Sequence, residues 1–182
     1  MTRRMAFIAT VASLVRHRHD DTFTRSRSAV DELELPPAVF KTCPWQPRNL
    51  IEIGLRQWLR CCAAALRDNE LIGMPSRAVD EAWHGLILCT ARYQTFCDAA
   101  YGQFMHHHPV AGAPDNGAAA TLSMDEQLRH TVIAWELVSE PGEQCVLWDL
   151  DRQVGVAEPW GVDHDRVEYI RAAAKIVRGK RN

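Results

Sequence analysis

Residues 74–109 read MPSRAVDEAWHGLILCTARYQTFCDAAYGQFMHHHP, and this stretch decides the fold class. Ser76 is a natural N-cap and Gly102 the next stop residue, so the pattern predicts one long helix over about 77–101. At about 100° per residue, Val79, Trp83, Leu86, Thr90, Tyr93, Cys97 and Tyr101 gather within an arc of roughly 80°. That arc is a core stripe. Asp80 and His84 share its shoulder, and Ala91, Thr95 and Asp98 continue their row.

The flanks extend the same reading. Upstream, Pro47 opens RNLIEIGLRQWLRCCAAALRDN, where Ile51, Leu55, Trp58, Cys62 and Ala65 recur at helical spacing. This predicts a helix over about 47–68, ended at Asn69 and Gly73. The short connection to Ser76 makes the two helices an antiparallel pair. Downstream, Ser123 and Glu126 form a capping box before Leu128, Val132, Trp135 and Val138. CVLWDLDRQVGV, residues 145–156, reads as either a short strand or an irregular packed segment, because periodicity does not separate the two at that length. Asp163 caps a final helix that turns Val167, Ile170, Ala174 and Val177 inward. The expectation is an all-α, mostly helical, compact bundle built on a long antiparallel helix pair. It forms one domain over 29–182 behind an N-terminal arm, 1–28.

Composition agrees with a globule. The chain has 182 residues, 47% hydrophobic and 24% charged, with a net charge of -2. That excludes wholesale disorder, collagen or coiled coil, and gives no global field for nucleic acid. Charge is uneven, however: residues 1–28 carry +4 and residues 169–182 carry +5, leaving -11 between them. Within the arm, MAFIATVASLV (5–15) is apolar but only about 16 Å long as a helix, against a ~30 Å hydrocarbon core. RHRHDD follows it where a signal-peptide cleavage site would stand. The arm is therefore expected to dock on a protein partner, with weak peripheral membrane contact as the alternative. Six cysteines without a CxxC pair read as reduced core thiols in a cytoplasmic protein.

The chemistry-bearing pair is Asp80 with His84. At i,i+4 the two side chains can meet. A carboxylate and an imidazole suit zinc or iron as ligands, or form an acid–base couple, or simply orient the helix as an ion pair. As a structural pair alone, Asp80→Asn would cost about 1–3 kcal/mol. Glu81 and His84 also make an ExxH, but a di-iron bundle needs a second one, and the chain has none. His106 and His107 form a separate metal candidate. On an unbroken helix His84 lies about 27 Å from Gly102, and the four to six residues after it reach back only ~14–21 Å. His17, His19, His130 and His164 remain as further ligands. No HExxH, GxSxG or phosphate-cradling glycine loop is present. Two classes result: a non-catalytic interaction or metal-binding protein centred on Asp80 and His84, or a small metal-dependent enzyme, hydrolytic in type, using the same pair.

The same 36 residues resemble the helical region of the glycine-rich domain-containing protein family of plants and short bacterial proteins. The matching positions are Met74-Pro75-Ser76, Val79-Asp80, Trp83-His84, Thr90, Tyr93, Phe96-Cys97, Gly102 and His106-His107 with Pro109. The chain lacks the glycine-rich tail of the plant members, and its apolar N-terminal run is shorter than a membrane span. The resemblance implies a compact helical domain and no settled biochemical activity.

Overall fold

In the computed structural model the described residues are 21–107, 122–160, 162 and 164–179; the apolar run 5–15, His17 and His19 lie outside them. Every regular element among the described residues is helical. They are α1 (21–31), a 3₁₀ turn (Pro37–Phe40), α2 (Arg48–Asp68), α3 (Arg77–Leu88), α4 (Thr90–Tyr101), α5 (Met124–Val138), α6 (Leu150–Gln153) and α7 (His164–Gly179). None is long and apolar enough to cross a membrane. Residue 28, the expected end of the arm, falls inside α1, whose Ser26 and Val30 are buried.

The central element is α2. Its expected stripe, Ile51, Leu55, Trp58, Cys62 and Ala65, is buried throughout. Burial spreads further, to Leu59, Cys61 and Ala64, because α2 packs on α3 and α5 and also meets α4 and α6. Pro47 is the N-cap, and Asn69 ends the helix in the left-handed region at φ 53°. A Cβ at Gly54 would stand 2.5 Å from Leu150 Cδ1 and 2.8 Å from Val79 Cγ2. The bare backbone there lets α3 and α6 close on α2.

Segment 145–156 resolves as irregular chain, turn and one helical turn, so its strand reading is not realised. The buried Gln57 amide holds it. Gln57 Nε2 donates to the Gln144 carbonyl at 2.9 Å, and the Val146 N–H donates to Gln57 Oε1 at 2.8 Å. A side chain from α2 thereby satisfies the backbone that a neighbouring strand would otherwise have paired. The capping box of α5 forms as read, with Ser123 and Glu126 exchanging hydrogen bonds. In α7 Val167 and Ile170 face inward; Asp163 and the side chains of Ala174 and Val177 lie outside the description.

One expectation fails in a way that shapes the site. The helix over 77–101 is two helices, interrupted at Cys89, whose backbone leaves the helical region at φ -78°, ψ 55°. The Cys89 N–H bonds back three residues to Leu86, and its carbonyl starts α4 by accepting from the Tyr93 N–H. Thr90, assigned to the core arc, is exposed as a result, while Val79, Trp83, Leu86, Tyr93 and Cys97 are buried. Gly102 stops α4 as expected, at φ 71°.

Candidate metal centre

The start of α3 is fixed before any site residue is reached. Ser76 caps it, accepting from the Val79 N–H at 3.2 Å. A second anchor comes from Asp151 on α6, which is fully buried. Its carboxylate accepts from Ser76 Oγ (2.7 Å), Arg77 N (2.9 Å), Ala78 N (3.0 Å) and Trp160 N (2.9 Å). A carboxylate at a helix N-terminus satisfies orphan N–H groups and complements the helix dipole. From the other side the 3₁₀ turn presses on Gly85: a Cβ there would lie 1.9 Å from the Val39 carbonyl oxygen. Asp80 and His84 are carried on this clamped helix.

The two side chains meet as their spacing predicts, with His84 Nδ1 3.5 Å from Asp80 Oδ2. The Asp80 side chain is 16% exposed and that of His84 40%. Burial pushes the Asp80 carboxyl above its usual range; His84 opposes that shift and Glu81 adds to it. From sequence, the place of the pair on the shoulder of the packed face directs the imidazole toward the preceding helix near Trp58 to Cys62. In the structure the imidazole meets His107, and on the same helix Trp83 reaches α2, with its ring 5.7 Å from Trp58.

His107 corrects the geometric argument from sequence. Its Nε2 lies 3.2 Å from His84 Nε2 and 3.9 Å from Asp80 Oδ1, so it joins the pair that an unbroken helix would have kept out of reach. The break at Cys89 and the turn at Gly102 bring it back. Its ring rests edge-on against Trp83 at 4.9 Å and His84 at 4.6 Å. Two residues earlier, the Met105 carbonyl accepts from the buried Tyr93 hydroxyl at 2.8 Å. His106 points elsewhere: it is exposed and packs on Phe104 at 4.9 Å.

The other sequence candidates stay apart. His130 bonds to the Leu71 carbonyl and pairs with Glu70, each at 3.0 Å. His164 is exposed at the start of α7. Asp80, His84 and His107 form one set, in which a donor atom from each lies within 4.8 Å of the others, and no fourth such residue joins it among the described ones. All six cysteines are free, and Cys43, Cys61, Cys62 and Cys97 are buried, as core thiols should be.

Comparison with known proteins corrects the family. The model of the UCP032817-like family matches residues 26–165. The chain belongs to the UCP032817-like family. That is an uncharacterised family and not the glycine-rich domain-containing one. The residues that carried the earlier resemblance do general work: Ser76 and Gly102 cap helices, and Val79, Trp83, Tyr93, Phe96 and Cys97 fill the core. Capping and core patterns of that kind recur across unrelated helical domains. No curated protein and no solved structure matches the chain.

Proposed function

We propose that this protein binds one divalent transition-metal ion through Asp80, His84 and His107. The observation that carries the reading is the convergence of three donor atoms within 4.8 Å of one another. Ligands at about 2.0–2.2 Å from zinc stand roughly 3.3–3.6 Å apart in a tetrahedron, so the set needs only a small inward movement. Two imidazoles and one carboxylate suit zinc, and the same trio suits ferrous iron. Electrostatics point the same way. The Asp80 carboxyl is raised by burial, and a bound cation would offset the cost of keeping it ionised.

A metal-binding or interaction protein without turnover is the primary reading, carried by the three converging donor atoms alone. One observation supports the hydrolytic alternative: His84 is 40% exposed, so a water-filled coordination position would face solvent. Metal-dependent cleavage of chromogenic esters or phosphoesters, lost in His107→Ala, would select it.

The test is elemental analysis of tag-free protein purified without metal-affinity resin, followed by reconstitution with Zn(II) or Fe(II). Near one ion per chain is expected, removable by chelator and absent from Asp80→Ala, His84→Ala and His107→Ala. Folded wild-type protein that retains neither metal would overturn the reading.

A further inference from the structure

We propose that Tyr93 is the positioning residue of this site: its hydroxyl fixes the backbone at Met105 and so delivers His107 to Asp80 and His84. The consequence for metal affinity rests on the metal-site reading above.

Asp80 and His84 are one turn apart on a single helix, and the local fold brings them together. His107 lies 23 residues beyond His84 and sits in a segment without regular structure, 104–107. A ligand on such a segment is only as well placed as the segment's anchors. The Tyr93 ring is 1% exposed, and Met105 is 6% exposed. The hydroxyl-to-carbonyl bond at 2.8 Å satisfies two polar groups that have left water together. Phe104 closes edge-on over the Tyr93 ring at 5.4 Å, so tyrosine grips the segment by both ring and hydroxyl. Burial drives the Tyr93 phenol far above its ordinary range, which keeps it a donor at any physiological pH.

Tyr93→Phe keeps the ring and strands a buried carbonyl. The segment's cheapest response is to swing Met105 towards water, and the His107 imidazole moves with it. Tyr101 supplies a matched control: its hydroxyl donates to the Leu59 carbonyl, also at 2.8 Å, but ties α4 to α2 and holds no ligand.

The experiment measures Zn(II) affinity of the full chain by competition with a chromophoric chelator. Loss of such an outer partner typically weakens a metal site by about 10–100-fold. Tyr93→Phe is expected to lose affinity in that range, while Tyr101→Phe binds as the wild type does. Wild-type affinity in Tyr93→Phe would overturn the proposal. A metal-free readout separates it from the metal reading. The Trp83 ring, 4.9 Å from the His107 ring, is expected to shift the wild-type His107 imidazole protons, and in Tyr93→Phe those signals should move towards free histidine. If wild-type protein bound neither zinc nor iron yet this shift occurred, the metal reading would fall and the positioning role would stand. Unmoved His107 signals would refute the positioning role in either case.

Discussion

Replacing Asp151 by asparagine removes one acceptor face from a carboxylate that serves four donors. Oδ1 accepts from Ser76 Oγ and the Ala78 N–H, and Oδ2 from the Arg77 and Trp160 N–H groups. The amide nitrogen must take one of these faces. On the Oδ2 side it would strand two backbone donors. The milder choice is the Oδ1 side, where the Ser76 hydroxyl can rotate to accept, leaving the Ala78 N–H orphaned. A buried orphan donor costs about 1–3 kcal/mol. Losing a charge at the N-terminus of α3 adds roughly 0.3–2 kcal/mol, towards the upper end because the group is fully buried. Asp151→Asn should therefore destabilise by about 2–4 kcal/mol, a fall in urea midpoint of about 1–2 M for a domain of this size. Equilibrium urea unfolding followed by tryptophan fluorescence measures it. A midpoint within about 0.3 M of wild type would refute the claim that Asp151 anchors the helix bearing the site.

The other predictions follow from contacts already described. Gly85→Ala drives a Cβ into the Val39 backbone, which no rotamer change relieves. Against a gain of about 1 kcal/mol in helix propensity, the net loss should be about 1–3 kcal/mol by urea unfolding; a raised midpoint would deny the close approach. Trp83→Ala removes a buried ring shared by Trp58 and His107 and should cost about 3–5 kcal/mol, read as a lowered thermal midpoint. Asp80→Asn reverses the sign expected of a purely structural pair. A folded-state carboxyl raised by burial contributes its stability below the unfolded value and loses it as pH rises through the folded value. At neutral pH the charge is thus a net cost to the metal-free fold, and Asp80→Asn apoprotein should be as stable as wild type or more so. A destabilised apoprotein would favour the structural pair.

The helical architecture was legible because its signals are local. The stripe of α2, the Ser76 cap, the Ser123–Glu126 capping box and the Gly102 stop all appear where their residue types require them. The break at Cys89 was not, for a physical reason. No proline or glycine marks it, and the buried positions Val79, Ala82, Trp83, Leu86, Tyr93, Phe96 and Cys97 keep helical phase across it. Periodicity reports which face is buried and is blind to a change of course that preserves the face. That one missed bend carried the reach argument with it and so separated His107 from Asp80 and His84. Asp151 was hidden differently: it caps a helix that begins 74 residues earlier, a pairing made only by tertiary structure. The histidine run itself was visible, and the structure divides it, drawing His107 inward while His106 stays on Phe104.

That division offers the sharpest measurement. Cobalt(II) reports its ligand set optically, so tag-free wild type, His106→Ala and His107→Ala are titrated with Co(II) and the d–d bands recorded. The account predicts saturation at one ion per chain in wild type and in His106→Ala, with indistinguishable spectra, and loss of that tight band set in His107→Ala. Equal spectra from all three proteins, or loss in His106→Ala with His107→Ala unaffected, would contradict a centre built from Asp80, His84 and His107.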